Sequence, residues 1–331
     1  MWNKLTKGHF DQWFGFIMAE ISIATIRAAQ QRIAPHIHQT PIATSTLLDQ
    51  ICNCKLFFKC ENQQKVGAFK IRGAVNAVYT LTAGEAEKGV ATHSSGNHGA
   101  ALAKAAQMRG IGSIVVMPDN APQVKKDAVA AYGATIHLCE ATLDAREKTL
   151  QQVIEDTGAA FIHPYDDPRI INGQGTVALE MCDQVEALDM LLTPVGGGGL
   201  LAGVAVAMDA LSPETQVLGA EPEQADDAYR SFRSGVRVTE HSPDTVADGL
   251  LTTLGELNFP IIRRSVDDIL RVPEAKIIEA MKLIWTRLKQ VVEPSAAVPL
   301  AAVLTHRAKF TGKKVGLILS GGNVDLDNLP W

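Results

Sequence analysis

The chain has 331 residues, of which 46% are hydrophobic, and its 36 acidic and 31 basic side chains give a formal net charge of -5. The small acidic excess argues against a nucleic-acid partner, and 5 cysteines are too few for a disulfide framework in a chain of this length. No apolar run reaches the roughly 18 residues of a membrane span, so we also expect no membrane partner.

The N-terminal segment, residues 1–17, mixes aromatic with charged side chains. It lacks the uninterrupted apolar stretch and the small-residue cleavage site of a secretory signal. A second methionine, Met18, opens a segment of ordinary composition. We therefore interpret residues 1–17 as a dispensable N-terminal extension of a cytoplasmic protein. An aromatic segment that packs on the surface is the alternative.

From residue 18 onward, short β-rich runs alternate with stretches of helical spacing. This alternation predicts an α/β fold whose mainly parallel sheets are covered by helices on both faces. Ligands in such folds bind at the carboxyl ends of strands, so the segments after each strand are candidate sites. The predicted strands are Lys55–Cys60, Gly89–His93, Ser113–Met117, Thr135–Cys139, Ala160–His163, Leu191–Val195, Gln216–Ala220, Ile269–Val272 and Lys314–Leu319. The predicted helices include Gly99–Met108, Lys125–Tyr132, Leu143–Glu155 and Pro273–Lys289.

The first chemical motif follows the strand at 55–60 and places Lys70 between the apolar residues Phe69 and Ile71. An apolar environment disfavours the charged amine and lowers its pKa, which makes a lysine a nucleophile toward carbonyl groups. For this motif taken alone, an exposed lysine on a helix surface is the structural alternative.

The second motif, SSGNHG at residues 94–99, lies between a strand and a helix. Small residues allow backbone N–H groups to converge at the helix N-terminus, where they favour a carboxylate or a phosphate. An N-capped tight turn is the alternative.

The third motif is a run of four glycines, residues 196–199, between a strand and an apolar helix. Glycine costs conformational entropy, so a run with little structural purpose indicates backbone that wraps closely around a phosphate. The spacing is not the dinucleotide G-x-G-x-x-G pattern and there is no Walker lysine, which favours a single phosphate monoester. In a fourth motif, Ser320 ends the last strand, so its hydroxyl can reach a ring ligand.

A reactive lysine, a phosphate loop and a carboxylate loop together indicate a pyridoxal phosphate (PLP) enzyme that acts on an amino acid. At these residues the sequence resembles the fold-type II PLP enzymes, which share a tryptophan synthase β-like fold. Within them it resembles the serine racemase and serine–threonine dehydratase branch, which includes threo-3-hydroxyaspartate dehydratases. The resemblance runs from about Ile23 to Trp331, and rests on FKIRGA, HSSGNHG, the glycine run and SGGNVDL in family order.

The resemblance implies how each motif holds the cofactor. Lys70 forms a Schiff base with PLP beside Phe69, and Asn97 hydrogen-bonds the 3-hydroxyl of the ring. Ser320 faces the ring nitrogen; because a serine does not force that nitrogen to be protonated, it favours β-elimination over transamination. The phosphate lies on the glycine run, aided by the dipole of the following helix; its members are Gly196, Gly197, Gly198 and Gly199.

For the substrate, the resemblance implies a carboxylate-binding loop and a second catalytic residue, Ser95. Ser95 lies on the ring face opposite Lys70, and acid/base groups on opposite faces permit racemisation. Tyr165 stands where mammalian serine racemases have an asparagine and dehydratases have an aromatic residue, which favours elimination. The members of the loop are Ser94, Ser95, Gly96, Asn97 and His98.

Three further segments match the same branch. Arg146 matches an arginine that meets a second ligand carboxylate in serine racemases; an exposed helix arginine is the alternative. The segment 293–297 resembles the wall of the active site. The acidic string at 221–227 resembles a divalent-cation loop, and a solvated acidic turn is the alternative. Hard oxygen ligands suit Mg²⁺, Ca²⁺ or Mn²⁺; the implied ligands are the carboxylates of Glu221 and Asp227 and the backbone carbonyl of Ala225.

The sequence thus predicts a cytoplasmic, homodimeric PLP enzyme with lyase and racemase activities. It dehydrates L-serine, L-threonine or L-threo-3-hydroxyaspartate to a 2-oxo acid and ammonia, with serine racemisation beside it. A large cofactor domain is expected at residues 18–82 and 166–331, and a small mobile domain at 83–165. A dedicated serine or aspartate racemase is one alternative, and a non-catalytic amino-acid sensor with the same fold and cofactor is another.

Glycine usage supports this interpretation. Of the 27 glycines, twelve fall in segments that we assign to the cofactor and the substrate. We expect the backbone in these segments to be shaped around a phosphate and a carboxylate. The positions are 67, 73, 96, 99, 173, 175, 196–199, 321 and 322.

Overall fold

The structure is a computed structural model that describes residues 20–94 and 96–331. Two predictions lie outside the described residues: the dispensable extension at residues 1–17 and the catalytic Ser95. Within the described ranges, no helix combines the length and the apolar character needed to cross a membrane.

Helices and strands alternate along the described chain, as the sequence pattern predicts. The strands are β1 (Ile42–Ala43), β2 (Lys55–Lys59), β3 (Val90–His93), β4 (Ser113–Pro118), β5 (Thr135–Cys139), β6 (Ala160–Phe161), β7 (Met190–Pro194), β8 (Gln216–Pro222), β9 (Asp268–Val272) and β10 (Lys314–Ile318). The helices are α1 (Ile23–Ile33), α2 (Thr46–Cys52), α3 (Lys70–Tyr79), α4 (Ala83–Lys88), α5 (Asn97–Arg109), α6 (Gln123–Ala131), α7 (Leu143–Thr157), α8 (Pro168–Gln184), α9 (Gly199–Leu211), α10 (Asp227–Ser234), α11 (Asn258–Ser265), α12 (Glu274–Leu283), α13 (Pro294–Thr305) and α14 (Arg307–Phe310).

The strands of the described chain form two sheets. The larger sheet has six strands in the order β1-β2-β10-β7-β8-β9, and the smaller has four in the order β5-β4-β3-β6. Neighbouring strands are parallel in both sheets, apart from the antiparallel pair β1–β2. The predicted fold class, α/β with two open parallel sheets, is confirmed. Sequence periodicity missed β1 because a strand of 2 residues has no measurable period.

The strand order explains why the motifs meet. In the larger sheet β10 lies between β2 and β7. Because these strands are parallel, the segments that follow them lie at one edge of the sheet. Those segments carry Lys70 after β2, the four glycines after β7 and Ser320 after β10.

Close packing between helices accounts for three of the twelve glycines in the predicted ligand segments. A Cβ at Gly173 of α8 would lie 2.5 Å from the Cα of Gly73 on α3. A Cβ at Gly175 would lie 2.8 Å from the carbonyl oxygen of Gly203 on α9. Side chains would overlap at these separations, so the helices can cross here only through glycine. This packing is a sufficient reason for glycine at positions 73, 173 and 175, and their assignment to the cofactor and substrate segments stays a prediction.

The helix predicted at 273–289 has the expected extent but a different last turn. It is α-helical over Glu274–Leu283 and π-helical over Ile284–Leu288. It ends at Lys289, whose φ of 60° is left-handed. Hydrophobic periodicity does not distinguish a single π turn from the α-helix it extends.

Candidate active site

Lys70 lies in the first turn of α3, at the carboxyl edge of the larger sheet. The N–H of Phe69 donates to the carbonyl of Ser320 at 3.0 Å, which joins this helix start to the end of β10. The Lys70 Nζ donates to the carbonyl oxygen of Pro164 at 2.8 Å. Burial lowers the pKa of Lys70 to about 8, although the negative charge of Glu293 opposes this shift. The amine is therefore more nucleophilic near neutral pH than an exposed lysine.

The four-glycine loop joins β7 to α9 and packs against Tyr165. A Cβ at Gly197 would lie 2.3 Å from the Tyr165 ring, and one at Gly199 would lie 2.7 Å from the Tyr165 carbonyl oxygen. Gly198 has a φ of +88°, which side chains rarely adopt. The run thus has a structural purpose that the sequence did not reveal. Gly199 begins a helix of 13 residues, and the free N–H groups and dipole at its start favour a phosphate.

A polar clamp holds Tyr165 against this loop. The Nδ2 of Asn258 donates to the carbonyls of Gly197 at 2.8 Å and of Tyr165 at 3.0 Å. The carboxylate of Asp166 accepts the backbone N–H groups of residues 256 and 257 at 2.8 and 2.9 Å. The segment 256–258 therefore fixes both the tyrosine and the glycine loop.

Asn97 begins α5, and its side chain contacts Glu293. Its Nδ2 donates to both carboxylate oxygens, at 2.9 and 3.1 Å, while its Oδ1 accepts from Asn323 at 2.8 Å. Burial raises the pKa of Glu293 to about 7; Asp248 adds to the shift and the Asn97 hydrogen bond opposes it. A Cβ at Gly321 would lie 2.5 Å from the Glu293 carboxylate. The second and fourth sequence motifs thus meet, with the Asn97 amide held in one orientation.

Two other residues of the 94–99 loop, Ser94 and His98, make contacts within the protein. The hydroxyl of Ser94 accepts the N–H of Gly96 at 3.2 Å, which tightens the turn before α5. His98 is 2% exposed, and its Nε2 lies 3.3 Å from the carbonyl oxygen of Ile162. Burial lowers the pKa of His98 well below its usual value. Since His98 faces the interior, its role in carboxylate binding stays a prediction.

Arg146 lies half-buried on α7, at the carboxyl end of the smaller sheet. Its Nε donates to the carbonyl of Thr142 at 3.4 Å, one turn back on the chain. Burial, followed by the positive charge of Arg146, lowers the pKa of His93 to about 4. Because His93 ends β3, Arg146 stands on the same edge of this sheet as the 94–99 loop.

The two predicted metal-binding carboxylates are neighbours at the carboxyl end of β8, where Glu221 lies in the strand and Asp227 begins α10. Glu221 and Asp227 are each 1% exposed. Burial raises the pKa of Glu221 well above its usual value, and the charge of Asp227 adds to the shift. Glu221 accepts the backbone N–H groups of residues 228 and 229, and Asp227 accepts that of Leu254 at 3.0 Å. Within the described ranges, no three His, Cys, Asp or Glu side chains converge as a metal cluster.

Sequence reasoning missed His163, Asp166 and Asn258, and mentioned Glu293 only as part of the active-site wall. None of them belongs to a motif of small residues or a reactive side chain. The available signal was positional: His163 and Asp166 follow β6, where polar residues often face a site. That strand has only 2 residues, so its end was hard to recognise.

The groups in the cleft suit the chemistry of PLP. Lys70 offers an amine of lowered pKa to an aldehyde. The start of α9 offers unpaired backbone N–H groups to a phosphate. Ser320, 3% exposed at the end of β10, and the fixed amide of Asn97 are polar groups for a ring.

Comparisons with known proteins agree with this chemistry. Residues 33–321 match the sequence profile of the family described as "Pyridoxal-phosphate dependent enzyme". The chain is 53% identical over 304 residues to a beta-hydroxyaspartate dehydratase of Paracoccus denitrificans, covering 92% of this chain and 96% of that protein.

Two solved structures share the fold over most of their length. Maize serine racemase superposes with a TM-score of 0.91 at 47% identity, covering 93% of this chain and 95% of that one. The processed form of threonine deaminase isoform 2 from Solanum lycopersicum gives a TM-score of 0.89 at 32% identity, covering 95% and 86%. The chain therefore belongs to the family of pyridoxal-phosphate-dependent enzymes.

Proposed function

We propose that this protein dehydrates a β-hydroxy amino acid to a 2-oxo acid and ammonia. The observation that carries the proposal is the half-buried Lys70, whose amine has a pKa lowered to about 8, on the same sheet edge as a helix start suited to a phosphate. A lysine of this kind can hold the cofactor and can also move a proton near neutral pH. The relatives described above, a dehydratase, a racemase and a deaminase, support the same reaction class.

We assign different roles in cofactor binding and proton transfer to the residues of the site. PLP supplies an electron sink that makes the α-proton of a bound amino acid acidic. The glycine loop 196–199 and the start of α9 hold its phosphate, while Phe69, Asn97 and Ser320 hold its ring. Lys70 removes the α-proton, and the β-hydroxyl takes up one proton and leaves as water, so that no net proton is gained or lost. The unsaturated amino acid that is released hydrolyses to the 2-oxo acid and ammonia, which balances the reaction.

L-serine, L-threonine and L-threo-3-hydroxyaspartate are the candidate substrates, bound through the loop that includes Ser94, Gly96 and His98. A dicarboxylate is favoured by Arg146, whose cationic side chain stands on the same sheet edge as this loop. The dehydratase of Paracoccus denitrificans, which acts on beta-hydroxyaspartate according to its name, supports this choice. Replacing Arg146 with methionine should raise KM for 3-hydroxyaspartate more than KM for serine.

Racemisation of serine is the second activity that we propose. It requires an acid/base group on the face opposite Lys70, and we assign this role to Ser95. The likeness to maize serine racemase supports it. Tyr165, packed against Gly197, favours elimination as the dominant outcome. A Ser95→Ala variant should lose D-serine formation while it keeps pyruvate formation.

A divalent cation, Mg²⁺, Ca²⁺ or Mn²⁺, is proposed at the loop after β8. Glu221 and Asp227 would supply carboxylates and Ala225 a carbonyl, with waters completing an oxygen shell. The support is physical: burial and the charge of the neighbouring Asp227 raise the pKa of Glu221, and a cation between the two carboxylates would offset both causes.

We also propose the larger organisation of the protein. A large cofactor domain (residues 18–82 and 166–331) and a small mobile domain (83–165) would close over the substrate and exclude water. In support, the described strands of the smaller sheet all lie between residues 90 and 161. A cytoplasmic homodimer is proposed from the family resemblance.

A kinetic panel tests the function. Purified holoenzyme is assayed with the enantiomers of serine, threonine and 3-hydroxyaspartate, with and without a chelator, for 2-oxo acid, ammonia and inverted amino acid. Lys70→Ala should abolish all turnover, while Lys148→Ala, an exposed lysine on α7, should keep it. If wild-type enzyme releases neither 2-oxo acid nor ammonia from any substrate, the dehydratase proposal is wrong.

A further inference from the structure

His163 lies just after β6, and one of its ring nitrogens organises the turn that follows. Nδ1 accepts the backbone N–H groups of Tyr165 at 3.2 Å and of Asp166 at 2.8 Å. An imidazole nitrogen can accept only when it carries no proton, so the ring is neutral with its proton on Nε2. The turn over residues 163–166 therefore depends on one tautomer of one side chain.

Two functional contacts come from inside this turn. The carbonyl of Pro164 accepts the hydrogen bond from the Lys70 Nζ at 2.8 Å. The ring of Tyr165 meets the His163 ring edge-on, with centroids 4.6 Å apart, and its other contacts include Gly197 of the phosphate loop. The same imidazole therefore positions two groups. One is the Pro164 carbonyl that accepts from the reactive amine, and the other is the Tyr165 ring that packs against the glycine run.

The surroundings of His163 keep it in the neutral form. Burial lowers its pKa to about 4, and the charges of His93 and Lys70 act in the same direction, while Asp167 opposes them. A protonated imidazole would lose the two N–H contacts at Nδ1 and would place a second positive charge near the Lys70 amine. The neutral ring suits both the turn and the amine.

We propose that His163 is a positioning residue that, through Nδ1, fixes the Pro164 carbonyl as the acceptor for the Lys70 amine whenever this amine is not bonded to the cofactor. A free amine that donates one N–H to this carbonyl must direct its lone pair elsewhere. The lone pair is then free for the cofactor aldehyde or for the substrate proton. In this proposal His163 acts through the turn, by holding the backbone that carries the Pro164 carbonyl. This inference deepens the proposed function because it concerns the same site.

Three substitutions at His163 distinguish the effect of losing the hydrogen-bond acceptor from the effect of losing the aromatic ring. His163→Asn keeps an acceptor, Oδ1, at the position of Nδ1 but removes the ring. His163→Phe keeps the edge-on contact with Tyr165 but removes the acceptor. His163→Gln keeps an amide but moves its oxygen one bond further out. For each holoenzyme we would measure the PLP dissociation constant, kcat, KM and the thermal unfolding midpoint.

We expect His163→Phe and His163→Gln to lose about 10- to 100-fold in kcat, as misplaced reacting groups do. PLP affinity should fall with kcat, and KM should change little. His163→Asn should recover most of both losses. The inference is wrong if His163→Phe and His163→Asn have the same kcat and the same PLP affinity. It is also wrong if these losses follow the change in unfolding midpoint and not the presence of a hydrogen-bond acceptor at residue 163.

A direct measurement covers the case in which the variants fold poorly. ¹⁵N NMR of the imidazoles in the wild-type holoenzyme at neutral pH should show His163 with an unprotonated Nδ1 and a proton on Nε2. A proton on Nδ1 would overturn the inference. The PLP dissociation constant and the tautomer do not depend on turnover, so they test His163 even if the wild-type enzyme fails to dehydrate any hydroxy amino acid.

Discussion

The protein buries charge in two regions, and the two differ in how that charge is compensated. In the first, the balanced cluster, Arg72 donates to Glu61 and Glu180 over 2.7–2.9 Å. Lys59 donates to Glu180 at 2.6 Å. Two positive side chains thus face two negative ones, each within hydrogen-bonding distance of an opposite charge.

In the second region, the acidic pair Glu221 and Asp227, compensation is incomplete. Three backbone N–H groups donate to these carboxylates, two of them to Glu221 and one to Asp227. His241 lies with its Nδ1 3.5 Å from an oxygen of Asp227. Burial raises the pKa of both carboxyls, that of Asp227 to about 6. The fold supplies the full counter-charge in the first region, whereas in the second it leaves two carboxylates of raised pKa close together.

The two regions accordingly serve different purposes. Arg72 follows Lys70 by two residues on α3, so the balanced cluster fixes the helix that presents the reactive amine. The acidic pair lies at the carboxyl end of β8 and the start of α10. Removing two like charges from water there costs free energy unless a cation offsets it. We therefore expect the first region to respond to mutation and the second to respond to ions.

Arg72→Met should have the largest effect on stability. It leaves Glu61 and Glu180 with Lys59 as their one cationic partner in the cluster, and breaking a buried pair costs about 3–5 kcal/mol. Urea unfolding, followed by circular dichroism, measures the loss. The double variant Arg72→Met/Glu61→Gln keeps the Lys59–Glu180 pair and should regain part of it. A loss below about 1 kcal/mol, the size for an exposed pair, would mean that direct pairing does not hold this region.

Divalent cations should stabilise the wild-type protein through the acidic pair. With Mg²⁺, Ca²⁺ or Mn²⁺ at 100 times its dissociation constant, the free energy of unfolding should rise by about 2.7 kcal/mol over the chelator-treated protein. Glu221→Gln should abolish this gain because it removes one ligand and one of the two like charges.

The same experiment has a matched control. Glu223→Gln changes an exposed acid in the same loop and should keep the full response to the cation. In chelator, Glu221→Gln should be at least as stable as wild type, whereas each single loss in the balanced cluster destabilises. If Glu221→Gln still gains stability from cations, the acidic pair is not the cation site.

The fold was predictable to the extent that its signals are local in the chain. Contiguous β-rich runs gave β2 and β10 within a residue of the observed ends, because buried parallel strands are uninterrupted apolar segments. The crossings at Gly73–Gly173 and Gly175–Gly203 were not predictable, since each joins residues of different helices. A glycine needed for helix packing looks the same in sequence as one needed for a ligand.

The site divides in the same way. Lys70 and the glycine run stand out because each is a short motif whose residue types have few structural uses. Asn258 and His163 do not stand out, because their importance comes from contacts made elsewhere in the fold. The hydrogen bond from Asn258 to Gly197 spans 61 residues of sequence. The balanced cluster was invisible for the same reason: Arg72 and Glu180 are ordinary helix residues until the helices pack.

Lys70 and Glu293 form a case between the balanced cluster and the acidic pair. Their opposite charges interact, but the half-buried lysine and the buried carboxylate are not in contact. Burial lowers the pKa of Lys70 to about 8, and Glu293 opposes this shift. The rate at which the apo-protein takes up PLP should therefore rise with pH, with a midpoint near 8, as the amine loses its proton. Glu293→Gln should lower this midpoint, because the charge that favours the protonated amine is gone.

Glu293 and Lys70 should also make the stability of the apo-protein depend on pH, and their two contributions should change in opposite directions as the pH rises. The Glu293 pKa is raised from 4.5 to about 7, so the folded state binds more protons in that range, and the free energy of unfolding should fall as the pH rises through it. The Lys70 pKa is lowered from 10.5 to about 8, so stability should rise with pH over that interval. An unchanged loading midpoint in Glu293→Gln, with Glu214→Gln as exposed control, would mean that the two groups do not interact.

A much smaller effect than that of Arg72→Met is expected at Lys125 on α6, which pairs with the exposed Asp248. The carboxylate is 48% exposed, so water already solvates it and screens the attraction. Lys125→Met should therefore cost at most about 1 kcal/mol in urea unfolding, and salt should reduce the cost further.

Comparing the Lys125–Asp248 pair with the Arg72–Glu61 pair tests whether burial determines how much stability an ion pair contributes. It places a cation in hydrogen-bonding contact with a carboxylate, as Arg72 does with Glu61, yet the expected losses differ severalfold. Lys148→Met, which breaks a pair with Asp144 that is still more exposed, should cost less again. If Lys125→Met costs as much as Arg72→Met, burial does not control these energies. The contrast between the balanced cluster and the acidic pair would then need another cause.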